Sequence, residues 1–127
     1  MERLNERLQA AEKALRTLRE ILKEPTSEVI RDAAILRFTY TFETVWKAAQ
    51  LYLAEREELE AGSPVGVIRA CWQAGILDEQ QTEAASRMAR DRNLTVHTYQ
   101  EELAIELYGR LRAHADLLSV WLERLRR

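Results

Sequence analysis

The sequence predicts an all-α protein, a five-helix antiparallel bundle that dimerises through its helices. Three observations carry this expectation. Apolar residues recur at helical spacing through the long stretches of the chain. The four glycines and two prolines fall at a few places, as they do where helices are joined by short turns. No segment reads convincingly as a strand, and no repeat of fixed period is present.

The first helix is expected from about Glu2 to Lys23. Leu4, Leu8, Ala11, Leu15, Leu18 and Leu22 alternate spacings of four and three, a narrow seam of the kind that packs helix on helix. Pro25, Thr26 and Ser27 interrupt it and supply hydroxyl caps for a second, long helix from about Glu28 to Glu58. Its inner stripe is Ile35, Phe38, Phe42, Val45, Ala49 and Leu53. The acidic run from Glu55 to Glu60 reads as an exposed end. Ser63 before Pro64 opens a third, short helix to about Ala74, with Gly75 terminating it. Asp78 caps a fourth helix through about Arg92. Beyond it, Asn93 and the β-branched Thr95, Val96 and Thr98 weaken helical propensity and bend the chain. A fifth helix, about Glu101 to Leu125, carries Leu107, Leu111, His114, Leu118, Trp121 and Leu125 on one stripe. The heptad seam and the crowded apolar stripes of the second and fifth helices suggest more packing surface than one small bundle needs, hence at least a homodimer.

At 127 residues the chain has the size of one domain, and its 19 basic and 21 acidic residues leave a formal net charge of -2. No global field steers it toward nucleic acid or an anionic membrane, so any such contact must be local. A single cysteine, Cys71, excludes an internal disulfide, and with two histidines it does not supply a zinc site of the usual three or four ligands. Neither a metal nor an organic cofactor is expected. The charged N-terminus lacks a signal-peptide pattern and no apolar run is long enough to span a bilayer, so a cytoplasmic location and no membrane partner are expected.

If the chain has an active site, it is built around the segment Arg92 to Tyr99. Arg87, Arg90 and Arg92 surround one acid, Asp91, and concentrate basic charge in a slightly acidic chain. On an unbroken helix Arg92 and His97 would lie about 140° apart, but a bend after Asn93 can bring them together. If the following stretch is extended, His97 and Tyr99 point to one side. Arginine, imidazole and phenol together suit a phosphodiester. The guanidinium fork neutralises phosphate oxygens and the imidazole moves a proton near neutral pH. RNA cleavage by its own 2′-hydroxyl needs one base and one acid, and two copies meeting across a two-fold axis would supply both. The alternative is structural: Arg87 to Arg92 as a solvated helix face, His97 as a turn residue and Tyr99 as a half-buried aromatic. His114, alone in an apolar stripe, reads as a satisfied core residue. Cys71 reads as a buried small hydrophobe. Phe38, Phe42, Trp46 and Trp121 read as core or dimer surface. Glu43 and Lys47, four apart, suit a surface pair.

These residues also carry a resemblance. Arg92, His97 and Tyr99 fit the Arg-x4-His-x-Tyr pattern of the HEPN superfamily, and Met88, Arg92-Asn93, His97 and Tyr99 fit the fuller pattern of its nucleotidyltransferase substrate-binding family. Phe42-Glu43 with Trp46-Lys47, the Ser63-Pro64 and Ala74-Gly75 turns, and Glu101 to Ala104 followed by Tyr108 are similar to further landmarks of that family. The resemblance implies that residues 1–127 form a single HEPN-like helical domain. It also implies an antiparallel helical dimer that partners a minimal nucleotidyltransferase encoded nearby and is not itself a nucleotidyltransferase. In related toxin and antitoxin pairs the helical partner is a metal-independent ribonuclease that the transferase silences by adding AMP to the motif tyrosine. Carried over, Arg92 and His97 are catalytic and Tyr99 is the modified residue, while Arg90, Arg92 and Asn93 hold phosphate, nucleotide or RNA. Glu43 then becomes a contact for a partner or for the motif arginine. The competing implications are a non-catalytic nucleotide- or partner-binding subunit and a plain helical dimerisation module.

Overall fold

The computed structural model describes residues 2–127. Five α-helices and one turn of 3-10 helix account for the described chain: α1 (Glu2–Ile21), α2 (Glu28–Arg56), α3 (Pro64–Gln73), α4 (Glu79–Leu94), the 3-10 turn (Thr95–His97) and α5 (Glu101–Leu125). Their starts are set by side chains that satisfy the first free amide groups of each helix. Ser27 accepts from the Ile30 amide and Ser63 from the Gly66 amide, in each case at 3.1 Å. Asp78 and Gln81 form a reciprocal capping box, at 2.8 and 3.0 Å. The end of α3 depends on Gly75, whose φ of 76° lies in the left-handed region that a side chain disfavours. The Gly75 and Ile76 amides turn back onto the Trp72 and Cys71 carbonyls, at 3.0 and 2.8 Å, which is the Schellman closure.

All six residues of the α1 seam are buried, as are the inner stripes of α2 and α5. The α1 seam therefore packs within its own chain and offers no free heptad surface to a second copy. Polar bonds between the helices fix their directions. Arg7 donates to the Lys47 carbonyl and Arg37 to the Thr17 carbonyl, at 3.3 and 2.8 Å, so α1 and α2 are antiparallel. Arg112 donates to the Leu22 carbonyl and Arg126 to Glu12, each at 2.8 Å, so α1 and α5 are antiparallel as well. It follows that α2 and α5 run parallel, which the α3–α4 excursion between them makes possible. Arg124 ties that excursion down by donating to the Ile76 carbonyl and Gln81 Oε1, at 2.8 and 2.7 Å. No helix among the described residues is long and apolar enough to cross a membrane.

Phe38, Phe42, Val45, Ala49 and Leu53 of α2 are wholly inaccessible. Cys71 is equally buried, and burial pushes its thiol up to about 11. It is a packing residue. Replacing Phe42 with alanine should remove about 3–5 kcal/mol of stability, read as a lower urea midpoint at unchanged slope. A loss under about 1 kcal/mol would show that the core is not centred on α2.

Candidate functional site

The sequence expects a bend after Asn93 and an extended stretch beyond it; the chain does otherwise. α4 continues to Leu94 and passes into a 3-10 turn, and Thr98 still has helical angles, φ -73° and ψ 0°. The threonines explain the difference. Thr95 Oγ1 donates to the Arg92 carbonyl at 2.7 Å and Thr98 Oγ1 to the Thr95 carbonyl at 3.0 Å. Each hydroxyl bonds a carbonyl three residues back, and the Arg92 carbonyl accepts the Thr95 amide as well, so β-branched residues that disfavour a long helix here stabilise a tight turn. The rings of His97 and Tyr99 still come together, with centroids 6.1 Å apart in an edge-on arrangement. Both side chains are exposed, Tyr99 to 78% of its full extent. The reading of Tyr99 as half-buried is thereby corrected.

Arg92 lies one turn before His97 and reaches α2, where it forms an ion pair with Glu43. It also donates to Asn93 Oδ1 at 3.2 Å. Glu43 thus turns to the motif arginine, and both partners remain partly exposed. Arg92 keeps part of its guanidinium side exposed, so an incoming phosphate can reach it. Arg90 does not join Arg92. Two positions apart on a continuous helix, they project about 200° from one another, and Arg87 and Arg90 face solvent. The cluster of basic residues in the sequence is therefore split between two faces.

Asp91, the acid among those arginines, is buried, and sequence reasoning gave it no role. Its carboxylate takes a two-pronged contact from Arg110, with Nε at 2.8 Å and Nη2 at 2.9 Å. His114 Nε2 lies 2.6 Å from Asp91 Oδ2, and the His114 ring stacks on Phe38 with centroids 5.2 Å apart. The lone stripe histidine is thus a satisfied core residue. Burial alone would raise the Asp91 pKa, but the hydrogen bonds from Arg110 and His114 and the charge of Arg110 hold it below its usual range. Burial is also the main effect on His114 and lowers its pKa despite the nearby carboxylate, with the charges of Arg110 and Arg87 assisting. Since Arg110 already neutralises Asp91, His114 stays neutral and its Nε2–H donates. Two polar residues on apolar faces, Asp91 in α4 and His114 in α5, were the available sequence signals. Arg110, on a solvent-side position, gave none.

The fold and this edge define a class: a small helical protein whose Arg92, His97 and Tyr99 landmarks lie at an open turn. A cavity of about 420 Å³ lies away from this turn, bordered by Arg7, Gln50 and Leu51. Comparison with known proteins narrows the class. The profile of the family described as nucleotidyltransferase substrate binding protein like matches residues 6–127, and the chain belongs to that family. A Thermus thermophilus protein of known crystal structure is similar to it at 52% identity and a TM-score of 0.89, over 92% of this chain and 99% of that one. A Haemophilus influenzae protein, whose structure is described as revealing the fold of a substrate binding domain of a nucleotidyltransferase, shares the fold. It matches at 20% identity and a TM-score of 0.73, over 94% of this chain and 99% of that one. A search of the curated proteins finds no significant match.

The depressed pKa values have a consequence for stability. For both groups the unfolded chain binds more protons than the folded one on acidification, so stability falls as pH falls. His114 acts first, below its ordinary 6.5, and Asp91 only below 3.8. The melting temperature should decline from about pH 7 to about pH 5, and decline less in His114→Gln. Equal declines in the two proteins would refute the neutral, buried state of His114.

Proposed function

We propose that this chain is the helical substrate-binding partner of a separate minimal nucleotidyltransferase encoded nearby, acting in the cytoplasm, with Arg92, His97 and Tyr99 as its ligand-facing edge. The observation that carries this reading is the open turn itself. His97 and Tyr99 stand exposed with their rings together, one to two turns beyond a partly exposed Arg92 that faces α2, with no wall of their own to enclose a substrate. A second surface has to complete such a site.

A second copy of the chain suits that role. The stripe of α2 that bears Glu43 also bears Val29 and Leu36, exposed to 76% and 63%, and Val96 beside the motif is exposed to 73%. Isolated apolar residues are common on surfaces, but exposed apolar residues that share the outward stripe of α2 suit an interface. In an isologous dimer two copies of the edge face each other, so one His97 accepts the RNA 2′-hydroxyl proton while the other protonates the leaving 5′-oxygen. Arg92, drawn from Glu43, takes the phosphate charge, and Asn93, already bonded to Arg92, orients it. Arg90 projects elsewhere and suits contact with more distant phosphate or with the transferase. The outcome is a metal-independent ribonuclease of the HEPN type, the toxin of a pair whose transferase is the antitoxin.

The exposure of Tyr99 supports its role as acceptor. Its phenol oxygen attacks the α-phosphorus of ATP bound to the transferase, pyrophosphate leaves, and the phenolic proton passes to a base of the transferase. The new phosphodiester brings negative charge and bulk beside Arg92 and blocks RNA binding without unfolding the protein. The second reading, a non-catalytic subunit, is favoured by the Glu43 contact, because an arginine already paired is suited to exchange one anion for another without chemistry.

Metal-free protein should cleave RNA, and His97→Ala should lower the rate about a hundredfold or more. Equal rates in both proteins would sink the nuclease claim, and nucleotide binding without cleavage would favour the second reading. Light scattering should report a dimer at micromolar concentration. Incubated with the transferase, ATP and magnesium, the wild-type protein should gain the mass of one or more AMP units and Tyr99→Phe should not. Labelling of Tyr99→Phe to the wild-type extent would place the acceptor elsewhere.

A further inference from the structure

Of the five helices, α4 is the one held least by apolar packing. Its buried residues are Ala85, Met88, Ala89 and Asp91, so Met88 is its one large apolar anchor. Yet its last turn carries Arg92 and leads directly into His97. A helix anchored by small side chains is free to slide or rotate on its neighbours unless directional contacts stop it.

We infer that Asp91 is the positioning residue of the motif: its buried carboxylate, clamped by Arg110 and His114, fixes the last turn of α4 so that Arg92 meets α2 and the turn beyond presents His97. The geometry is specific. Asp91 and Arg92 are consecutive and project about 100° apart. The first binds α5 through Arg110 and His114, and the second binds α2 through Glu43. Two contacts in different directions from adjacent residues stop both rotation about the helix axis and sliding along it. His114 extends the clamp by stacking on Phe38 of α2, so α4 is referred to both long helices at one level. The hydrogen-bonding fork of Arg110 also saturates Asp91. A buried acid one residue from Arg92 would otherwise compete for that guanidinium.

The inference rests on the reading of Arg92 and His97 as ligand-handling groups, but its first measurement does not require them to act. Amide hydrogen exchange of the full chain should show the segment from Arg92 to Tyr99 exchanging about tenfold faster or more in Asp91→Asn, with α1 and the centre of α2 unchanged. Arg110→Gln, which leaves the buried Asp91–His114 bond in place, should give a smaller effect confined to the same segment and serves if Asp91→Asn does not fold. Faster exchange spread evenly over all helices, or none in this segment, would overturn the proposal, since the clamp would then be general stabilisation or irrelevant. The second measurement is AMP binding. Asp91→Asn should weaken it about tenfold, and adding Asp91→Asn to Arg92→Ala should cost no more than Arg92→Ala alone. Additive losses would show that Asp91 does not act through Arg92. If wild-type protein binds no AMP, the ligand reading of the site fails and the exchange pattern alone decides the clamp.

Discussion

Burial of α2 on three sides is the constraint on which the rest of the structure depends. Its apolar residues occupy most of the helix circumference, and α1, α5 and the α3–α4 pair each cover part of it. A helix of 29 residues buried in this way sets the length of the bundle and leaves one outward stripe. Glu43 lies on that stripe, which is why it is available to a residue of another helix rather than to the core. The exposed apolar residues Val29 and Leu36 share the stripe. Glu43 and part of the exposed apolar surface therefore lie on the same side of α2.

Polar contacts do a different task from apolar ones in this protein. Apolar burial drives the helices together without specifying their register, whereas a carboxylate held by a guanidinium fork and an imidazole is satisfied in one arrangement only. The rim pairs Arg19–Asp116 and Arg126–Glu12 are open to solvent and contribute little. Asp91 is buried, so leaving it unpaired would be costly, and its partners define where α4 ends. The motif turn inherits that placement. Threonine hydroxyls then close the chain into a 3-10 turn, and so the imidazole and phenol are offered outward.

Membership of the nucleotidyltransferase substrate-binding family agrees with this division. The core holds the architecture, which is retained in a structure sharing only 20% of its residues, while the His97–Tyr99 turn at the edge is open to solvent. An open edge suits a protein that presents a group to a partner. It contrasts with an enzyme that must seal a substrate away from water within a single chain.

The sequence by itself determined the five helices, their caps, the buried stripes and the Arg92, His97 and Tyr99 landmarks. These follow from local rules: periodicity, hydroxyl and carboxylate caps, and the positive φ tolerated by Gly75. It overextended the turn after Asn93, because β-branching was weighed without the hydroxyls of Thr95 and Thr98 that bond backward. It also grouped Arg90 with Arg92, although continuation of α4 to Leu94 sets them on different faces. Only the tertiary structure decided that the α1 seam is used within the chain, that α2 and α5 run parallel, and that Arg110 and His114 converge on Asp91. Those outcomes depend on which faces meet after residues 19 and 23 positions apart are brought together, and the chain carries no local signal for a contact made across two helices.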